Sequence, residues 1–86
     1  MYRIGRNFKC PCCGYYTLER RHYDLICPVC YWEDDFLQIS EDEYSVCNHM
    51  SLAEARKNYR EFGASEFRLL KYVRNPNPNE LSGADD

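Results

Sequence analysis

Apolar residues recur at helical spacing in one part of the chain. The residues that form this stripe are Leu52, Ala55, Tyr59 and Phe62. Such spacing predicts an amphipathic helix over about 52–62. Ser51 and Glu54 fit a capping box at its start, and Gly63 suits the left-handed residue that commonly ends a helix. We expect the stripe to pack into the core rather than to hold a cofactor.

Shorter apolar stretches alternate with polar turns elsewhere. Residues 15–18 and 23–26 are rich in β-forming side chains, and the polar residues 19–22 separate them. This pattern predicts an antiparallel β-hairpin, with a further strand before it over 2–9. After the main helix, Ser65 is placed to cap a second short helix, although a strand is the alternative there. Residues 75–86 have two prolines and no periodicity, which predicts a disordered tail after a single domain at 1–74.

Six cysteines in 86 residues change this picture, because a chain so short buries a marginal core. Two C-P-x-C motifs stand out, and we call the segments 10–14 and 27–31 the first and second knuckles. The spacing is close to the C-x2-C…C-x2-C pattern of tetrahedral zinc sites. Pro11 and Pro28 pre-set the turn after the first cysteine of each motif. The sequence therefore predicts one structural zinc ion on Cys10, Cys13, Cys27 and Cys30.

Two other uses of these cysteines remain open. The first is a disulfide framework with pairs such as Cys10–Cys27, which would need an oxidising compartment, whereas the N-terminus has no apolar signal segment. The second is an iron site for one-electron transfer, because four thiolates suit iron as well as zinc and rubredoxin knuckles also read C-P-x-C-G. Tyr31 stands where the second knuckle would have glycine, which favours zinc.

The other two cysteines do not fit the knuckle spacing. We expect Cys12 to point away from the metal. Cys47 precedes Asn48 and His49, which is compatible with a thiol nucleophile. The simpler interpretation of Cys47, which we prefer, is a small half-buried residue before the helix. Trp32 is expected in the core, the alternative being an exposed anchor for a basic partner.

The charge is unevenly distributed along a chain of net charge −3. The stretch from Glu33 to Glu43 carries six acidic and no basic residues, and we interpret it as an exposed, solubilising loop. An acidic block directly after the second knuckle disfavours nucleic acid as a partner. No apolar run approaches the roughly 18 residues of a membrane span. These features together favour a cytoplasmic protein with a protein partner.

The sequence also resembles the cysteine-rich CPCC family of small bacterial proteins. The resemblance rests on Cys10 to Tyr15, on Cys27 to Asp35, and on the stretch from Asn48 to Arg56 with its continuation to Ala64. It implies a bacterial, cytoplasmic, zinc-binding domain and brings no reaction or catalytic residue with it. The expected fold is a small, metal-stabilised α+β domain: a zinc-ribbon or rubredoxin-like hairpin with two knuckles, followed by one or two helices. The expected function is a zinc-stapled interaction module, with a rubredoxin-like iron electron carrier as the alternative.

Overall fold

Two knuckles, a short sheet and one α-helix follow one another in the computed structural model, which describes residues 7–35 and 40–81. Strand β1 (Tyr44–Ser45) pairs antiparallel with strand β2 (Met50–Ser51), with Ser45 opposite Met50. Helix α1 (Leu52–Phe62) follows β2 directly. Two 3₁₀ helices complete the described chain, one at Phe67–Tyr72 and one at Pro78–Glu80. The described residues thus form a small domain with a two-stranded antiparallel sheet and an α-helix.

Helix α1 confirms the prediction from the apolar stripe. Its first turn is capped by Ser51, whose hydroxyl oxygen accepts a hydrogen bond from the Glu54 N–H at 3.2 Å. It ends at Gly63, whose φ of 99° is left-handed and whose N–H donates to the Tyr59 carbonyl. Leu52 and Ala55 are buried. Within the described residues no helix has the length and apolar character needed to cross a bilayer.

The predicted hairpin between the knuckles is wrong. Residues 15–26 contain no strand pair; instead each knuckle closes on itself through an isolated bridge, Phe8 with Leu18 and Ile26 with Glu33. The expected strand over 2–9 lies mostly outside the described residues. The intervening turn contains two left-handed residues, His22 (φ 63°) and Asp24 (φ 60°), so it redirects the chain instead of folding it back as a hairpin.

The core is built around the knuckles. Trp32 is fully buried, as expected, and Leu18 and Val29 lie beside it at 1% exposure. Met50 and Leu52 bring the sheet and the helix onto this cluster. Three of the four predicted metal ligands, Cys10, Cys27 and Cys30, belong to the same buried cluster, and the fourth, Cys13, packs against it. The cysteine site is therefore the centre of the core rather than an attachment to it.

The acidic stretch after the second knuckle is only partly the exposed loop that its composition predicts. Asp34 and Asp35 are 1% and 3% exposed, whereas residues 41–43 are exposed. The Asp35 carboxylate accepts a hydrogen bond from the Ser45 hydroxyl at 3.0 Å. The two carboxylates are buried because they serve as hydrogen-bond acceptors for neighbouring turns, which an acidic composition alone does not reveal.

The C-terminal part of the described chain also differs from expectation. Residues 75–81 do not form a free tail: Glu80 is 5% exposed and its carbonyl accepts a hydrogen bond from the Tyr16 N–H at 2.8 Å. Residues 82–86 lie outside the described residues. The segment after Gly63 forms a 3₁₀ helix rather than a strand, but Ser65 does not cap it; Glu66 holds that position, and the Ser65 N–H donates to the Cys30 carbonyl.

Candidate metal centre

The two knuckles have the same backbone geometry. In the first, the Gly14 N–H donates to the Cys10 carbonyl at 2.9 Å; in the second, the Tyr31 N–H donates to the Cys27 carbonyl at 2.8 Å. Gly14 and Tyr31 both adopt a left-handed backbone, with φ of 85° and 68°. The C-P-x-C motifs therefore form two equivalent turns, and the absence of glycine from the second does not change its shape.

A tyrosine in this conformation needs compensation, because the left-handed region costs a residue with a Cβ about 1–2 kcal/mol. The Tyr31 ring stacks on Tyr72, with ring centroids 5.3 Å apart and an interplanar angle of 27°. Stacked aromatic pairs stabilise by about 0.5–1.5 kcal/mol beyond their buried area. The unusual residue of the second knuckle thus fixes the first 3₁₀ helix onto the domain.

The knuckles bring four sulfurs together. The Sγ atoms of Cys10, Cys13, Cys27 and Cys30 all lie within 4.8 Å of one another. Two of the edges are 3.6 Å (Cys10 to Cys30) and 3.7 Å (Cys13 to Cys27). Tetrahedral coordination with metal–sulfur bonds of about 2.3 Å requires edges of about 3.8 Å, whereas a disulfide bond is about 2.05 Å long. The cluster has the dimensions of a tetrathiolate metal site, and all six cysteines are free.

The cluster is closed to solvent on most sides. Cys10, Cys27 and Cys30 are 0% exposed and Cys13 is half-buried. Cys27 receives two further contacts: the Thr17 hydroxyl lies 3.0 Å from its Sγ, and the Val29 N–H donates to it at 3.4 Å. The arrangement offers four sulfur ligands held by short turns, with the protein enclosing them.

Hydrogen bonding within the cluster divides the pKa values of the thiols. Hydrogen bonds from Cys10, and then from Cys13 and Cys30, lower the pKa of Cys27. Hydrogen bonds with Cys13 and Cys27 raise the pKa of Cys10, and burial adds to the increase. Cys27 is therefore the thiol that ionises most readily. A second thiolate in the cluster would be repelled by the negative charge on Cys27. A bound divalent cation would remove this conflict, since metal binding releases thiol protons.

Two residues near the cluster were not identified from the sequence. Thr17 belongs to the β-forming stretch 15–18, and no sequence motif marks a hydroxyl that reaches a sulfur. Tyr59 was assigned to the helix stripe, and it is packed against the core. Desolvation, followed by the charge of Cys13, raises the pKa of Tyr59 to about 12. Its place on the side of α1 that faces the core was predictable, but its nearness to Cys13 needed the fold.

The two remaining cysteines are not members of the four-sulfur cluster, although the Cys12 thiol is within hydrogen-bonding reach of Cys30. Cys12 is buried at 6% exposure and is not one of the clustered sulfurs. Cys47 is exposed, which corrects the half-buried position expected for it. Local desolvation, a hydrogen bond with Glu33 and nearby acidic charge raise the pKa of Cys47 to about 11. A thiol with such a pKa is not an activated nucleophile, so the structure does not favour catalysis at Cys47.

A small domain whose core is a four-cysteine cluster is the class of protein that the fold and the site define. The chain belongs to the cysteine-rich CPCC family: the family profile matches residues 8–80, from just before the first knuckle to the second 3₁₀ helix. Searches of curated proteins and of solved structures gave no match.

Proposed function

We propose that Cys10, Cys13, Cys27 and Cys30 hold one zinc ion and that the protein is a small zinc-stapled interaction module of the cytoplasm. The observation that carries the metal assignment is the pair of sulfur–sulfur distances, 3.6 and 3.7 Å, that join thiols of different knuckles, three of them buried and one half-buried. The donor set fits zinc, which favours tetrahedral thiolate coordination. In this proposal the paired knuckles form a rubredoxin-like or zinc-ribbon unit.

The role proposed for the zinc is structural. Four protein sulfurs fill a tetrahedral site, so no position remains for water or substrate, and a closed ligand set is typical of structural zinc. When bound, the ion supplies positive charge that neutralises thiolates inside the core. The residues themselves contribute two pre-shaped turns and the Thr17 hydroxyl beside Cys27. Six free thiols are compatible with the reducing compartment that the proposal assumes.

The interaction role is supported by the surface of the domain. Several large apolar side chains are more than half exposed. They are Tyr23, Tyr44, Val46, Phe67, Tyr72 and Leu81. Side chains exposed to this extent are accessible to a partner protein, and they would form a docking surface where they lie in one patch. A metal buried in the core leaves that surface free to bind a partner. In this proposal the knuckles stabilise the fold, and the exposed apolar side chains recognise the partner.

Two matched alanine variants test the metal site. Cys13→Ala should abolish metal binding and lose the near-UV circular dichroism of a packed core, whereas Cys12→Ala should keep one metal per chain by elemental analysis, because Cys12 is outside the cluster. A strong chelator should unfold the native protein, since binding energy at a structural site is folding energy. A chelated, metal-free protein with unchanged amide chemical shifts would show that the metal is not structural.

The knuckle geometry supports a second candidate, a rubredoxin-like iron site. The sequence argument against iron was Tyr31, and Tyr31 adopts the same left-handed turn as Gly14. An iron-loaded protein purified in air would be red, with sulfur-to-iron charge-transfer absorption that disappears on reduction. A colourless protein containing one zinc per chain would exclude this alternative.

A further inference from the structure

A groove beside the first knuckle is lined by four cationic side chains, and we propose that it binds an acidic segment of a partner protein. The groove has a volume of about 650 Å³. We call it the cationic groove and define it by Lys9, Arg21, Arg56 and Arg60. The proposal rests on the proposed interaction function and names the chemistry of its partner.

The cations come together because two parts of the fold meet at this place. Arg56 and Arg60 are four residues apart on α1, so they lie on one face of the helix, and Tyr59 lines the groove between them. The first knuckle forms the opposite wall and carries Lys9 directly before Cys10. The helix is held there by Leu52 and Ala55, which are buried in the same core as the knuckle.

The positive charge of the groove is only partly used within the molecule. No carboxylate belongs to the described residues that line it. Arg56 contacts Glu41 at 2.9 Å through one guanidinium nitrogen, in an ion pair exposed on both sides. Within residues 7–35 and 40–81, Lys9 and Arg60 make no hydrogen bond or ion pair, and both are exposed. Two cations and the unused donors of Arg56 are therefore available to an incoming anion.

The chemistry of the groove favours carboxylates over a nucleic-acid backbone. Two of its three arginines already pair with carboxylates, Arg21 with Asp34 at 2.9 Å and Arg56 with Glu41 at 2.9 Å. The chain has a net charge of −3, and a tetrathiolate site with one divalent ion would bring it to about −5. A long polyanion would extend beyond the groove into this negative field, whereas a short acidic segment would not.

The test uses the protein as purified, with its metal content measured. The probe is a short fluorescein-labelled polyglutamate peptide, followed by fluorescence anisotropy at low ionic strength. Arg60→Glu should weaken binding about tenfold. The matched control is Lys57→Glu, which makes the same charge change on the same helix but outside the groove lining; it should weaken binding less than about twofold. Amide shift changes should be confined to residues 9–14 and 56–60 and to Arg21.

With a peptide that binds, three results would overturn the proposal. They are equal losses in the two variants, shift changes spread over the surface, and tighter binding of a single-stranded oligonucleotide of matched charge. The last would assign the groove to nucleic acid instead. Measuring the metal content distinguishes a failure of this proposal from a failure of the proposed metal site. In a variant that keeps one metal per chain but no longer binds the peptide, only the groove is affected. A protein that holds metal but never binds the peptide leaves the zinc assignment intact and removes the acidic partner.

Discussion

At the scale of single residues, Asp34 has the largest structural role of any side chain that the sequence analysis misinterpreted. Its side chain is 2% exposed and accepts hydrogen bonds from Arg21 Nε at 2.9 Å and from the His22 N–H. Its own carbonyl accepts from the Asp24 N–H at 3.0 Å. The two left-handed residues of the turn, His22 and Asp24, are thus both tied to one aspartate. Asp34 stabilises a turn that would otherwise be strained.

Replacing Asp34 should therefore destabilise the protein more than replacing an exposed residue of the same acidic stretch. Asp34→Ala leaves the His22 N–H without its acceptor and Arg21 without its partner, and we expect a loss of about 2–4 kcal/mol in the free energy of unfolding. Asp42→Ala removes a carboxylate from the exposed part of the same acidic stretch and should change stability by less than about 0.5 kcal/mol. Chemical denaturation of both metal-loaded variants measures this, and equal effects would refute the role given to Asp34.

Cys47 allows a second prediction at this scale. Because its pKa is raised to about 11, only about one thiol in ten thousand is ionised at pH 7. Its alkylation by iodoacetamide should be slower than that of an ordinary cysteine and should accelerate about tenfold per pH unit up to that pKa. Mass spectrometry follows the modification, and Cys47→Ser identifies the site. Rapid alkylation at pH 7 would reopen the thiol-nucleophile interpretation.

At the scale of elements, the success of prediction depended on whether the signal was local. Helix α1 was predictable to its boundaries because its cap, its apolar stripe and its terminal glycine all lie within the element. The four clustered cysteines were also predictable as a set. The two-residue gap within each knuckle forms a turn that directs both of its sulfurs toward one ion. The distances between the knuckles were not, because these depend on the whole chain.

The hairpin was mispredicted for a corresponding reason. Residues 15–18 and 23–26 have β-forming side chains, but strand pairing is decided by which backbone groups meet, not by propensity. Leu18 meets Phe8, and Ile26 meets Glu33. Part of this pairing is set by the side chain of Asn48. Its Oδ1 accepts a hydrogen bond from the Glu33 N–H at 2.9 Å, and its Nδ2 donates to the Glu33 carbonyl at 2.8 Å. The contact between Asn48 and Glu33 joins residues fifteen positions apart, and a local sequence pattern does not reveal it.

The helix cap provides the prediction that belongs to this scale. Ser51→Ala removes the acceptor of the Glu54 N–H and should cost about 1 kcal/mol. Ser51→Asp keeps an acceptor and adds a charge that suits the helix N-terminus, so it should retain most of the stability. Thermal unfolding of the two metal-loaded variants distinguishes them. If Ser51→Ala matched the native protein, the capping role would be removed.

At the scale of the whole molecule, the C-terminal segment connects the two knuckles. The Arg74 N–H donates to the Pro28 carbonyl in the second knuckle at 3.1 Å. Six residues later, the Glu80 carbonyl accepts a hydrogen bond from the N–H of Tyr16, two residues after the first knuckle. A bidentate ion pair closes the segment on itself, with Arg74 Nη1 and Nη2 at 2.9 and 2.8 Å from the Glu80 carboxylate oxygens. The segment predicted to be a disordered tail therefore acts as a strap across the half of the fold that contains the four-cysteine cluster.

The strap makes a prediction about coupling and pH. The hydrogen bond from Arg74, with a second from the Asn77 N–H, lowers the pKa of Glu80 below its ordinary value of 4.5. Because the folded-state pKa is the lower one, the contribution of the pair to stability is complete above pH 4.5 and is lost as the pH falls through the folded-state pKa. Arg74→Ala and Glu80→Gln should each cost about 1–3 kcal/mol at pH 7.

A double-mutant cycle between these two variants isolates the pair from acid-induced metal loss, which affects every variant alike. The double variant should lose little more than either single variant, and the coupling energy should be constant from pH 8 to pH 6, where the folded-state Glu80 stays ionised. Below pH 4.5 the coupling energy should decline as Glu80 becomes protonated. This decline can be measured over the pH range in which the metal remains bound. Amide exchange at Tyr16 supplies an independent measurement, since its acceptor belongs to Glu80: exchange should accelerate in all three variants. Additive losses, with unchanged exchange at Tyr16, would show that the segment is not a strap.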